Sequence, residues 1–87
     1  MIIYKYEMPE PGLHSVIPIP KDGKVLHVGM QGGRIMMWVE VNNTAPTEQR
    51  KYTTLPTGTE FFRPPNAHHI GTVFDGPFVW HIYEEIL

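Results

Sequence analysis

Lys24-Val25-Leu26-His27-Val28-Gly29-Met30-Gln31-Gly32-Gly33-Arg34-Ile35-Met36-Met37-Trp38-Val39-Glu40-Val41 is the stretch on which the fold turns. Before the glycine pair, Leu26, Val28 and Met30 fall on alternate positions. After it, Ile35, Met37, Val39 and Val41 do the same. A two-residue apolar period belongs to an extended strand with one face against a core. Two adjacent glycines supply the positive φ that a tight hairpin turn requires. The stretch therefore predicts two antiparallel strands. Met36 and Trp38 lie on the opposite face of the second strand, so that strand is apolar on both sides. Such a strand suits a central place in a sheet, or a face given to a partner.

Toward the N-terminus, Lys21-Asp22-Gly23 predicts another hairpin turn, with Leu13–Ile19 as its second strand. Ile2–Met8 alternates again, with Ile2, Tyr4, Tyr6 and Met8 on one side and Lys5 and Glu7 on the other. Pro9-Glu10-Pro11-Gly12 ends it as a turn. Toward the C-terminus, the polar segment 42–49 with Pro46 reads as an exposed loop and Arg50–Leu55 as a strand. A short helical turn over Thr47–Tyr52 is the alternative there. Pro56-Thr57-Gly58-Thr59 is a turn, and 60–66 is irregular. The final hairpin pairs Ala67–Phe74 with Phe78–Glu84 across Asp75-Gly76-Pro77. Nine prolines and eight glycines leave no long helical window. The expectation is one all-β domain over residues 1–87, with about seven short strands in a small antiparallel barrel or two-layer sandwich.

A chain of 87 residues, 41% of them hydrophobic, has room for one thin core, which makes a homo-oligomer the expected assembly. Seven basic residues against nine acidic ones argue against general binding to long nucleic acid, which demands many phosphate-neutralising cations. Without cysteine there are no disulfides and no thiolate zinc sites. No apolar run approaches the roughly 18 residues that span a bilayer, and no secretory segment is present. The expected location is therefore the cytoplasm, away from membranes. Asn42-Asn43-Thr44 matches a glycosylation pattern that has no consequence there.

Groups for catalysis are scarce. Ser15 is the one serine, and its neighbour His14 points to the other face of a strand. Asp22 and Asp75 are turn residues, Glu84 and Glu85 sit near a terminus expected to fray, and Glu40 and Glu60 have no evident pairing. Among five histidines, His68 and His69 diverge from a strand. His14, His27 and His81 could converge across strands, but no spacing demands a metal. No catalytic residue, metal site or cofactor is expected.

Binding groups are more plentiful. Arg34, Arg50, Lys51 and Arg63 could neutralise phosphate, arginine by planar bidentate contacts. Thr57-Gly58-Thr59 could cradle an anion with hydroxyls and successive amides. Trp38 or Phe61 could stack on a nucleobase, while Trp80, between Val79 and His81-Ile82, is assigned to the core. Each has a plainer alternative: solvated charge, an ordinary turn, or packing. Phe61-Phe62-Arg63-Pro64-Pro65 places two aromatics in a proline-bound loop, as partner surfaces and lids do.

The opening Ile-Tyr-Lys-Tyr, the run Val25–Gln31, Trp38, Thr57-Gly58-Thr59, His69-Ile70-Gly71-Thr72 and Val79–Glu84 together resemble a family of small uncharacterised bacteriophage β-proteins. Proteins of that kind are similar to phage anti-defence inhibitors, some of which are oligomeric sponges for nucleotide immune signals. The resemblance implies a non-enzymatic protein that sequesters a small phosphate-bearing nucleotide in the host cytosol. The first alternative is a module that grips a host or phage protein through Phe61, Phe62 and Met36. The second is a small hydrolase using His69 or His81 with Glu60.

Overall fold

The computed structural model describes residues 1–8 and 14–87. Strong alternation and frequent turn residues yield seven strands: β1 (Ile2–Glu7), β2 (His14–Pro20), β3 (Lys24–Gln31), β4 (Arg34–Val41), β5 (Thr47–Pro56), β6 (His68–Asp75) and β7 (Phe78–Ile86). They form two antiparallel sheets, one of three strands in the order β1-β4-β3 and one of four in the order β2-β5-β7-β6. The sheets face each other without closing, so of the two expected architectures the fold is the sandwich.

Gly32 and Gly33 both adopt positive φ, 61° and 75°, and turn β3 directly into β4. β4 is central in its sheet, and its two faces do different work. Ile35, Met37, Val39 and Val41 are almost wholly buried against the other sheet, whose inward residues include Ile19, Tyr52, Val73 and Ile82. Met36 and Trp38 face outward. Trp80 packs against the core from β7, as its neighbours suggested.

The hairpin expected at Asp22-Gly23 is not one. Asp22 takes the positive φ of 66°, but β2 pairs with β5 and β3 pairs with β4, so the turn carries the chain from one sheet to the other. A local turn signal cannot distinguish a hairpin from a sheet-to-sheet corner, because both need the same backbone reversal. The segment read as a loop up to Gln49 already joins β5 at Thr47, opposite Pro20, and it is extended where a helical turn was the alternative. The turn expected at 9–12, and Leu13 with it, lie outside the described residues.

The sheets meet most closely along β3 and β6. There Gly71 faces Val28, and a Cβ at 71 would collide with Val28 Cγ2. Absence of a side chain is what allows this approach. A bulge in β6 between His69 and Gly71 sets the position. β1 and β2 are the sheet edges away from this seam.

Candidate functional site

Side chains of β5 and β7 alternate across the four-stranded sheet, and their outer set makes a floor. Lys51, Thr53 and Leu55 come from β5 and Tyr83 and Glu85 from β7, with Lys51 opposite Glu85 and Thr53 opposite Tyr83. His14 of β2 adjoins Thr53, its Nδ1 lying 3.0 Å from Thr53 Oγ1. The segment 57–67, between β5 and β6, folds back over this floor. Phe61 packs on Tyr83 with ring centroids 5.4 Å apart, and the Arg63 guanidinium lies 5.2 Å above the Tyr83 ring. Arg63 also donates from Nε and Nη2 to the Ala67 carbonyl at 3.2 and 3.0 Å, which closes the segment on itself. Between floor and roof is a cavity of about 390 Å³, lined in addition by Phe62, Pro64, Ala67 and Glu84.

The beginning of the roof is pinned by a polar chain. Thr57 Oγ1 lies 2.6 Å from His81 Nε2, His81 Nδ1 is 3.1 Å from Thr72 Oγ1, and that hydroxyl is 3.1 Å from His69 Nε2. The Thr57 amide donates to the Val79 carbonyl at 3.1 Å. A hydroxyl can donate or accept, so two threonines can satisfy both nitrogens of His81 in any tautomer. His69 meets Tyr83 edge-on at 5.4 Å, joining this chain to the cavity wall.

Two cations and two aromatic rings thus converge on one concavity. Lys51 makes no side-chain hydrogen bond or ion pair among the described residues, and neither does Nη1 of Arg63. Both can therefore donate to an incoming anion. Glu85 beside Lys51 offsets part of the positive field.

Behind the floor, on the inward face, Arg50 sits at 2% exposure between two carboxylates. It donates from Nε and Nη2 to Glu48 at 3.3 and 3.0 Å, and from Nη1 to Glu84 at 3.2 Å. Tyr52 donates to the same Glu84 oxygen at 2.6 Å. Burial by itself would lower the Arg50 pKa. Its hydrogen bond to Glu48 and the field of Glu84 outweigh that and hold it above the ordinary guanidinium value. Burial, then the bond to Glu84, raises Tyr52 far above the phenol range. Burial and the neighbouring Tyr4 raise Tyr6 as well.

The family described as Domain of unknown function (DUF7352) matches residues 1–87, the whole of this sandwich. The chain belongs to that family. No curated protein and no solved structure matches it.

In this DUF7352 chain the residues expected to bind ligand separate into four places. Lys51, Phe61 and Arg63 meet at the cavity. Thr57, Gly58 and Thr59 begin the roof but do not line it, and Thr57 serves as its anchor. Arg50 is turned into the interior and committed to Glu48 and Glu84, so it is unavailable to a ligand. Arg34 and Trp38 lie on the outer face of the other sheet, where Arg34 pairs with Glu7 at 2.5 Å and Trp38 meets His27 at 5.8 Å.

Sequence reading missed His14, Thr53 and Tyr83. Strand parity was the available signal, since Thr53 shares a face with Lys51, and Tyr83 is opposite Thr53 once register is known. Glu84, expected at a frayed end, is instead a half-buried acceptor for Arg50 and Tyr52. His81 is engaged by Thr57 and Thr72 rather than by Glu60.

Proposed function

We propose that this protein is a non-catalytic receptor for a small, planar, phosphate-bearing ligand of mononucleotide size, held between the four-stranded sheet and the 57–67 segment. The observation that carries the reading is the convergence of Lys51, Arg63, Phe61 and Tyr83 on one cavity of about 390 Å³. That volume is at the low end of the roughly 300–1,000 Å³ typical of small-molecule sites. The rings offer an apolar face for a base, and the two cations offer charge-assisted donors for phosphate. Such a protein acts by lowering the free concentration of its ligand, which requires affinity and no reacting group. Capture of a nucleotide immune signal is the narrowest form of this proposal.

The test is titration calorimetry against mononucleotides, cyclic dinucleotides and cyclic ADP-ribose, with each ligand recovered and weighed for integrity. Binding is expected with one class, the ligand returning unchanged. Lys51→Ala and Arg63→Ala should each weaken it about tenfold or more, since a hydrogen bond to a charged group is worth about 1.5–3 kcal/mol. Trp38→Ala, on the far face, should leave affinity intact. Absence of heat with every ligand, or equal loss in Trp38→Ala, would refute the proposal.

Phe62 supports a second reading, a protein partner, because it stands 88% exposed at the cavity rim. Met36 is on the other sheet's outer face and cannot share that grip. A stoichiometric partner captured by the wild type and lost on Phe62→Ala would favour this reading over the first.

A further inference from the structure

A sandwich has four sheet edges, and the backbones of three of these are interrupted by bulges or prolines. β3 carries a bulge between Val25 and His27 and packs against β6. β6 carries its own bulge between His69 and Gly71. β2 contains Pro18 and Pro20, which have no amide hydrogen to offer. Bulges, prolines, charged side chains and covering elements are among the devices by which proteins keep edges from pairing. β1 has neither bulge nor proline: Ile2–Glu7 is regular and is paired only with β4 among the described residues. Its exposed residues include the charged Lys5 and Glu7, but both are drawn back over the sheet, Lys5 by a 2.9 Å hydrogen bond to Gln31 Oε1 on β3 and Glu7 by its ion pair with Arg34 on β4. Ile2, Ile3 and Tyr4 are 43%, 55% and 37% exposed.

The backbone shows which groups are free. The Met8 amide donates to the Ile35 carbonyl, and these residues continue the β1–β4 register. By the two-residue alternation of an antiparallel ladder, Ile2, Tyr4 and Tyr6 exchange hydrogen bonds with β4. Ile3, Lys5 and Glu7 then direct their amides and carbonyls away from β4.

We infer that β1 is a dimerisation edge whose occupant is β1 of a second copy, paired antiparallel about a two-fold axis at Tyr4. Symmetric pairing of the outward groups can centre on Ile3, Tyr4, Lys5 or Tyr6. Centring on Ile3 pairs only residues 2–4 of the strand, against 2–6 when the axis is at Tyr4. Centring on Lys5 sets two ammonium groups directly opposite each other, which is destabilising. Centring on Tyr6 leaves Ile2 and Ile3 outside the paired strand. Centring on Tyr4 sets Ile2 against Tyr6 of the second copy and Tyr4 against its equivalent, which extends the apolar inner layer across the axis. Ile3 then lies against the aliphatic stem of Lys5, and no like charges oppose each other. The three-stranded sheets of the two copies join into one, and the edge disappears. This inference is independent of the ligand cavity, which lies on the other sheet.

The test uses the intact chain. Light scattering on a sizing column should show a dimer that dissociates on dilution. Ile3→Pro removes an amide hydrogen that β4 does not use, and by symmetry deletes two intermolecular bonds, so dissociation should become about tenfold easier or more. Ile3→Lys, at a position exposed in the monomer, should do the same by facing Lys5 of the second copy. Circular dichroism should show the strand spectrum retained in both variants. Since the chain has no cysteine, Tyr4→Cys provides a unique thiol at the axis. A non-hydrogen-bonded antiparallel pair has Cα atoms about 4.5 Å apart, within disulfide range, so this variant should crosslink on mild oxidation and Tyr6→Cys should not. A monomer at the highest soluble concentration, a dimer indifferent to both Ile3 variants, or crosslinking at position 6 in place of 4 would overturn the inference.

Discussion

Removing the guanidinium of Arg50 should bring the domain close to unfolding. In Arg50→Ala the carboxylates of Glu84 and Glu48 lose their cation while remaining 12% and 25% exposed. Breaking a buried ion pair by deleting one partner costs about 3–5 kcal/mol, because the other charge is left poorly solvated. Partial exposure of Glu48 places the expected loss toward the lower figure. Domains carry about 0.05–0.15 kcal/mol of stability per residue, or about 4–13 kcal/mol for a chain of this length. One side chain therefore removes a quarter of the stability at the least, and most of it if the domain is marginal. Urea unfolding followed by circular dichroism is the assay, with the midpoint moving by molar amounts if the slope is about 1 kcal/mol per molar. Glu84→Gln is the graded control. It keeps an acceptor for Tyr52 and one for Arg50 while removing a charge, and should cost less than Arg50→Ala. If Arg50→Ala unfolds within 1 kcal/mol of wild type, or if Glu84→Gln proves the more damaging, the network does not hold the sheet as argued.

Alkaline stability should reveal Tyr52. Its folded pKa is raised above the unfolded value of about 10, so the folded protein retains a proton that the unfolded chain releases. Stability is thus fully present below pH 10 and falls above it by about 1.4 kcal/mol per pH unit. Tyr6 adds in the same direction, and Tyr52→Phe should flatten the fall in melting temperature while lowering stability at neutral pH. Gly71→Ala should cost about 1–3 kcal/mol by forcing a methyl against Val28, and Gly71→Ala with Val28→Ala should recover part of it in thermal melts. His81→Leu should free the roof at Thr57, read as faster proteolysis within 57–67 at an unchanged strand spectrum.

Much of the fold was legible residue by residue. The faces of β4, the glycine turn before it, the last hairpin and the inward set of Trp80 all follow from local rules: side chains alternate across a strand, and glycine alone turns cheaply through positive φ. The candidate site was legible only in fragments. Lys51, Phe61 and Arg63 were recognisable as ligand-binding types, yet Arg34, Arg50 and Trp38 offer the same kinds of chemistry and lie elsewhere.

What decided among them was pairing between distant segments. Strand parity states that Arg50 and Lys51 diverge, but not which of the two enters the core. Arg50 shares its side with Tyr52 and Thr54, and that side is covered by the other sheet. The same holds for Asp22-Gly23, whose turn geometry is local while its role as a corner depends on β2 joining β5 and β3 joining β4. The sequence by itself determined strands, faces and turns, because these depend on residues two to four positions apart. The tertiary structure decided strand partners, the buried ion network, the cavity and which strands stand at the sheet edges. These arise from contacts between strands far apart in the chain, which no periodicity records.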